Sequence, residues 1–434
     1  MAVCVLLGAV SPAALAQMPE ISSPRAIVGD ANSDRILFAL EADTKCAPAS
    51  ITKIMTLLLA VEAVERGDVG IDDMVTASSK CRFDLTDDSS TAHIYKGERM
   101  RFEDLLYCAA LISANEACNI IAEHVAGSIP DFVERMNARA NDLGCENTHF
   151  ANTHGLPDEE HYTTARDLYR IAREGMRHEL FRTVVGTASY DTAATNASAV
   201  RHLQNSNALI NRASVYTKKY LYEGARGIKT GHTDEAGFCL VSAAERDGVS
   251  VIAVVLGGSG DMVKGKYFNN FADSITLYDW VFENFSPRQI VGAGETVGTQ
   301  SMRSGDRLCE VKLCTAEELC ALADNELSPD TMSGELKLYD EVIRCPVAKG
   351  TKVGELLFTD ENGNYIGKVS VVTAEEPGLE EPEPTEAVPE QSVPSQLGRQ
   401  QQIAMIAAAV LFLLSGIGMI GLAAKKGKSK GKKR

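Results

Sequence analysis

The spacing of apolar and polar positions changes several times along the 434-residue chain, and each change marks an element. From Arg25 to Leu40 two short apolar runs flank Asn32-Ser33-Asp34, which predicts a β-hairpin. From Ser50 to Arg66 the spacing becomes helical, with Ile54, Leu57, Leu58 and Val61 on one face. Phe102 to His124 reads as two helices broken near Ser113, which would expose that residue at their junction. Further helices are expected at Ile129 to Leu143, Thr164 to Met176 and Lys266 to Phe285. A strand begins at Ile228-Lys229, and Phe238 to Ala244 and Val249 to Leu256 form a hairpin across Glu245-Arg246-Asp247-Gly248. Helices are thus bracketed by N- and C-terminal strands of one antiparallel sheet, an α+β arrangement. After Phe285 the pattern turns to short alternating strands with glycine turns, including Val353-Gly-Glu-Leu-Leu-Phe and Ile366-Gly-Lys-Val-Ser-Val-Val. That predicts a small β-rich domain, a spacer rather than a second enzyme.

The two ends carry topology signals. Val3 to Val10 is an apolar run followed by small residues and Ala14-Leu15-Ala16, a signal-peptide pattern with an A-x-A cleavage site, although no basic residue precedes Arg25. Ile403 to Ala424 is 22 residues without a charge, long enough to cross a bilayer. Seven basic residues follow it, from Lys425 to Arg434, and place that flank in the cytoplasm by the positive-inside rule. Between Glu375 and Arg399 a Pro/Glu/Ser/Gln-rich stretch reads as an extended, self-repelling tether. The expected organisation is a signal peptide (1–16), an α+β domain (17–286), a β-rich domain (287–374), a linker (375–402), a membrane helix (403–424) and a basic cytoplasmic tail (425–434). The α+β domain then lies on the extracellular side of the membrane, lifted from it by the linker.

Charge narrows the partners. The chain carries 43 basic against 59 acidic residues, net −16; without the seven of the tail, residues 1–424 hold 36 against 59, or −23. So acidic an ectodomain excludes nucleic-acid binding, which needs a basic face. Of the eleven cysteines, Cys4 falls in the signal segment. There is no C-x-x-C pair and no metal-type spacing with histidine, so no metal or other cofactor is expected. Cys108, Cys118 and Cys239 sit in apolar patterns as small buried thiols, while Cys309, Cys314, Cys320 and Cys345 are the better disulfide candidates.

Three short motifs then stand in one order: Ser50-Ile51-Thr52-Lys53, Ser113-Ala114-Asn115 and Lys229-Thr230-Gly231. Taken singly, each has an ordinary reading: Ser50 a helix N-cap, Lys53 a solvated lysine, Asn115 a loop hydrogen-bonder. A second Ser-x-x-Lys, Ser429 to Lys432, is only solvated charge in the tail. The ordered trio is the pattern of serine enzymes that are acylated by penicillin-like or D-Ala-D-Ala substrates. Three-residue spacing on a helix puts Ser50 and Lys53 on one face within reach of each other. A lysine can take the serine's proton only if burial and nearby positive charge lower its pKa. Lys229 could supply that charge, and Ser113 could relay a proton to the leaving amine. A helix starting at the nucleophile would direct its N-terminal dipole at developing negative charge.

The flanks are more specific. Arg25-Ala-Ile-Val-Gly-Asp-Ala-Asn-Ser-Asp-Arg-Ile-Leu-Phe leads to Ala47-Pro-Ala-Ser-Ile-Thr-Lys-Ile-Met-Thr. Asn152-Thr-His-Gly-Leu-Pro, His161-Tyr-Thr-Thr-Ala-Arg-Asp, Gly227-Ile-Lys-Thr-Gly-His-Thr and Ala236-Gly-Phe-Cys-Leu follow. The chain closely resembles the D-alanyl-D-alanine carboxypeptidases, the low-molecular-mass penicillin-binding proteins of serine peptidase family S11, over Ala26 to Phe285 and more loosely over Pro346 to Val372. The resemblance implies a penicillin-binding/β-lactamase-like transpeptidase fold with a helical subdomain. It implies Ser50 as the acylated nucleophile, Lys53 as its base, and Ser113 and Asn115 as the second motif. Lys229 with Thr230 would bind the substrate's terminal carboxylate, beside Gly231, and the N–H groups of Ser50 and His232 would hold the oxyanion. The implied ligands are peptidoglycan stem peptides and, as inhibitors, β-lactams. His149, His154 and His161 would belong to a structural loop. Ala114 stands where the family usually has Gly, and Thr153 where it often has Pro; neither removes a reacting group.

Two other classes compete. A class A β-lactamase-like hydrolase needs a glutamate followed four residues on by asparagine, and no Glu between Ser113 and Lys229 has it. A catalytically silent wall-binding scaffold would have no need of every reactive side chain. Endopeptidase action on cross-links is a variant of the first class that the residues leave open.

Overall fold

The computed structural model describes residues 18–216, 218–261, 267–304, 307–327, 331–339, 343–344 and 347–375. The expected signal peptide, membrane helix, basic tail and all but the first residue of the linker lie outside the described residues. Among those described, no helix is long and apolar enough to cross a membrane.

In chain order the first region contains β1 (Arg25–Asp30), β2 (Ile36–Leu40), α1 (Lys53–Arg66), β3 (Met74–Thr76), β4 (Arg99–Arg101), α2 (Phe102–Leu111), α3 (Asn115–Ala126) and α4 (Ile129–Asp142). It continues with α5 (Ala165–Gly175), α6 (Glu179–Gly186), β5 (Ser189–Asp191), β6 (His202–Gln204), β7 (Ala225–Thr233), β8 (Gly237–Arg246), β9 (Val249–Gly258) and α7 (Asn269–Asn284). The last region is all strand: β10 (Phe285–Val291), β11 (Thr296–Ser304), β12 (Arg307–Thr315), β13 (Leu319–Asp324), β14 (Ser333–Leu338), β15 (Ile343–Arg344), β16 (Lys352–Thr359) and β17 (Tyr365–Thr373). The expected hairpins and helices are present within a few residues of their sequence limits. Helix α6 and the ribbons β3–β4 and β5–β6 were not foreseen, because three-residue strands are too short to show a period.

Five antiparallel strands form the central sheet in the order β2-β1-β9-β8-β7, so chain-terminal strands of the region do bracket its helices. Both faces are covered. Ile27, Val241, Ile252 and Val254 face α1–α6, while the alternate residues Ala26, Val28, Leu240, Val251 and Val255 face α7. Helix α1 departs from its sequence reading. Every residue from Lys53 to Val61 is buried, not one stripe, because α2 to α6 all touch it. A helix apolar on all sides is a central helix. α4 and α5 begin on side-chain caps, Ser128 Oγ and Thr164 Oγ1 accepting from the Asp131 and Asp167 N–H groups.

The β-rich region forms a six-stranded sheet, β14-β16-β17-β12-β11-β15, and the pair β10–β13. It is joined to the first region where the buried Arg35 guanidinium donates to the Leu322 carbonyl and stacks over Phe285. Cys314 and Cys320 carry free thiols rather than a disulfide; the side chains of Cys309 and Cys345 are outside the description. Cys108, Cys118 and Cys239 are free and buried as expected.

Candidate active site

Ser50 does not open the α-helix. It lies on a 3-10 turn, Ala49–Thr52, that feeds α1 at Lys53. Side chains three apart on such a turn eclipse each other, and Lys53 Nζ donates to Ser50 Oγ at 2.9 Å and to the His154 carbonyl at 2.7 Å. Ala49, the residue before the serine, is held in the left-handed region at φ +48°. Lys53 is completely buried, and burial pulls its pKa down to about 8.

The second motif sits in the break between α2 and α3. Ser113 has φ +62°, a conformation that costs a non-glycine residue energy and must be held by its surroundings. The holding bonds are Ala114 N–H to the Cys108 carbonyl (3.0 Å) and Asn115 N–H to the Ser90 carbonyl (2.9 Å). Ser113 Oγ and Asn115 Oδ1 are buried without a hydrogen-bond partner, and both residues line the same cleft as Ser50. Buried polar atoms are ordinarily paired, so two orphans facing one cavity mark where a ligand's polar groups fit.

The third motif lies on β7, the edge strand beside the 3-10 turn. A Cβ at Gly231 would stand 3.1 Å from the Ile51 nitrogen and 3.2 Å from the Ser50 nitrogen, so glycine is what lets the strand approach the turn. Thr230 lines the cleft, with its Oγ1 2.6 Å from Ser206 Oγ. Lys229, like Lys53, is buried and outside the cleft wall: it is 1% exposed and donates to the Thr230 carbonyl at 2.9 Å. It stands behind Thr230 as a buried cation, pulled down to about 7 by burial and by the Lys53 charge.

The loop Asn152–His161 braces the base. Asn152 Oδ1 accepts from the His154 and Gly155 N–H groups, and Thr56 Oγ1 donates to the Thr153 carbonyl at 2.6 Å. Thr153, one of the two departures from the family pattern, hooks this loop to α3 by donating to Asn119 Oδ1 at 2.7 Å. The assembled cleft has a volume of about 840 Å³, with Ser50, Ser113, Asn115, Thr230, Gly231 and His232 in its wall. Six of the eight residues singled out in the sequence line it; the other two, Lys53 and Lys229, are buried just behind, Lys53 in contact with Ser50.

Residues 12–260, more than half of the chain, match the family model for D-alanyl-D-alanine carboxypeptidase. The chain belongs to that family. Residues 285–377 match the model for the C-terminal domain of penicillin-binding protein 5. Among curated relatives, D-alanyl-D-alanine carboxypeptidase DacF of Bacillus subtilis is 29% identical, covering 81% of this chain and 85% of that protein. DacA of Escherichia coli K12 is 31% identical over 83% and 85%. The crystal structure of penicillin binding protein 5 from Haemophilus influenzae superposes with a TM-score of 0.67 at 28% identity, covering 83% of this chain and 98% of that one. The fold is therefore the α+β fold of the penicillin-binding carboxypeptidases followed by their β-rich domain, and the protein is a serine-type D-Ala-D-Ala carboxypeptidase of the penicillin-binding class.

Sequence reasoning missed Ser206, Thr52 and the part played by the His154 carbonyl. Ser206 sits in an unremarkable polar run, Gln204-Asn-Ser-Asn, with no periodic signal. Thr52 was in view inside the first motif, but nothing local tells which atom its hydroxyl meets.

Proposed function

We propose that the enzyme removes the terminal D-alanine of peptidoglycan stem pentapeptides through an acyl-enzyme on Ser50. The observation that carries this reading is the 2.9 Å contact of Lys53 Nζ with Ser50 Oγ beside the unpartnered Ser113 Oγ and Asn115 Oδ1. Neutral Lys53 takes the Ser50 proton as Oγ attacks the penultimate D-Ala carbonyl. The Ser50 and His232 N–H groups hold the oxyanion. Asn115 Oδ1 accepts a substrate amide N–H. Collapse breaks the peptide bond, and the departing D-Ala amine gains a proton relayed from Lys53 through Ser113. Water then attacks the ester, again losing its proton to the same base, and frees Ser50. Thr230 meets the terminal carboxylate directly, and Lys229 contributes positive charge from behind it. β-Lactams acylate the same serine and leave slowly, for want of the glutamate that activates water in class A β-lactamases.

The same reading extends to the whole chain. The N-terminal segment exports it, residues 17–286 carry the chemistry, 287–374 act as a spacer, and 375–402 tether it to a membrane helix at 403–424. The catalytic part then faces the wall, with the basic tail in the cytoplasm.

The test is D-alanine release from diacetyl-Lys-D-Ala-D-Ala by the full chain in detergent, beside Ser50→Ala. Release that disappears in the variant, together with loss of penicillin labelling, is the expected result. A folded parent enzyme that labels with penicillin but releases no D-alanine would move the function to cross-link cleavage.

A further inference from the structure

We infer that Thr52 and His161 are positioning residues that aim the backbone N–H of the nucleophile into the cleft. This deepens the acyl-enzyme reading above and rests on it.

The proton bookkeeping is complete. The Ala151 N–H donates to His161 Nδ1 at 3.0 Å. A neutral imidazole that accepts at Nδ1 carries its hydrogen on Nε2, and burial holds this ring neutral by lowering its pKa to about 3. The Nε2–H therefore donates to Thr52 Oγ1, 2.8 Å away. Thr52 Oγ1, its acceptor capacity engaged, donates its own hydrogen to the Ala49 carbonyl at 2.9 Å. Thr52, His161 and Ala49 are all buried, so no water substitutes for a missing member.

The chain of bonds ends on the peptide that precedes Ser50. In a trans peptide the carbonyl and the following N–H point in opposite directions. Holding the Ala49 carbonyl against Thr52 therefore turns the Ser50 N–H away, towards β7. There Gly231 leaves room: a Cβ on it would come within 3.2 Å of the Ser50 nitrogen. Ala49 needs such holding because its left-handed φ of +48° is unfavourable for alanine. Gly155, at φ +94°, backs the same carbonyl so closely that a Cβ there would lie 1.8 Å from the oxygen. A hydroxyl three residues after the carbonyl it meets could simply close the 3-10 turn. The buried, tautomer-fixed histidine behind it is what a turn closure does not require.

The test is penicillin acylation by the full chain in detergent, resolved into the initial binding constant and the limiting acylation rate. Thr52→Val keeps the shape and removes the hydroxyl; Thr52→Ser keeps the hydroxyl. Thr52→Val is expected to lower the limiting rate about tenfold or more, since loss of a whole oxyanion donor costs ~10²–10³, while binding stays within about threefold. Thr52→Ser is expected to stay within about threefold of the parent in both. His161→Leu, which leaves the hydroxyl but removes its donor, should slow the same step, and serves if Thr52→Val does not fold. Limiting rates equal to the parent's in folded Thr52→Val or His161→Leu would overturn the inference, as would a loss confined to binding. A folded parent that is not acylated at all would instead remove the reading on which it rests.

Discussion

In the β-rich region after Phe285 the described buried positions, among them Val291, Val311, Leu313, Ile366, Val369 and Val371, are aliphatic apart from two threonines, while the catalytic region buries Lys53, Lys229, Ser113, Asn115 and Glu116. The two buried threonines described in the β-rich region give their hydroxyls to carbonyls, Thr315 to Gly292 and Thr373 to Ala348, each at 2.7 Å. Around Ser50, by contrast, Ser113 Oγ and Asn115 Oδ1 have no partner, and Ala49 and Ser113 hold left-handed backbone. Among its described residues the β-rich region leaves no buried side-chain polar atom unpaired; the catalytic region leaves several, and two of them belong to residues that line the cleft. Such departures are tolerated only where surrounding structure over-determines them. Here that support comes from the central helix α1, the packed break between α2 and α3, and the braced loop Asn152–His161.

The largest expected effect tests whether the buried cation serves function rather than folding. Lys229→Met replaces a buried charge by a group of similar length. Activity on a free-acid peptide should fall about a hundredfold or more, while thermal stability holds or rises, since removing a desolvated charge relieves a burial cost. Equal activity on amide-capped and free-acid peptides in the parent would count against a carboxylate role.

A pH series separates the regions next. D-Alanine release should climb as the Lys53 base loses its proton, with a midpoint near pH 8. Folding stability should respond in another window. His161 is neutral when folded, with its pKa lowered from 6.5 to about 3, so the unfolded chain binds a proton that the native one refuses. Stability is fully retained above pH 6.5 and declines as pH falls towards 3, by up to a few kcal/mol at ~1.4 kcal/mol per unit. Denaturant melts from pH 7 to 4 should show this slope in the parent and flatten it in His161→Gln. An unchanged slope would mean other groups control acid stability.

Leu313→Ala measures the other region. Leu313 is fully buried, and truncation should cost about 2–5 kcal/mol in the β-rich core. D-Alanine release per folded molecule should be unaffected; a fall in kcat would show that this region shapes the cleft. The smallest effect belongs to Lys368→Ala, which removes a surface ion pair with Glu355 at 3.0 Å. Exposed pairs of this kind add little, and the denaturant midpoint should stay within measurement error.

Much of the molecule was legible in the order of its residues. Strands buried on both faces appear as short apolar runs, and the helices as 3.6-residue periods, because those elements depend on neighbours close in sequence. The three motifs named five of the cleft residues, Ser50, Ser113, Asn115, Thr230 and Gly231, since Ser-x-x-Lys is a contact within one turn and Lys-Thr-Gly a run within one strand. What stayed hidden involves distant partners. The Lys53 ammonium meets the His154 carbonyl 101 residues away, Thr52 meets His161 at a separation of 109, and Lys229 faces inward behind Thr230. The sequence by itself determined which chemical groups the enzyme owns and which segments carry them. Only the tertiary structure decided that Ser50 sits on a 3-10 turn, that Ser113 Oγ and Asn115 Oδ1 are left without partners, and which nitrogen of His161 bears hydrogen. Those outcomes depend on burial and on hydrogen bonds closed through space, and neither has a period along the chain.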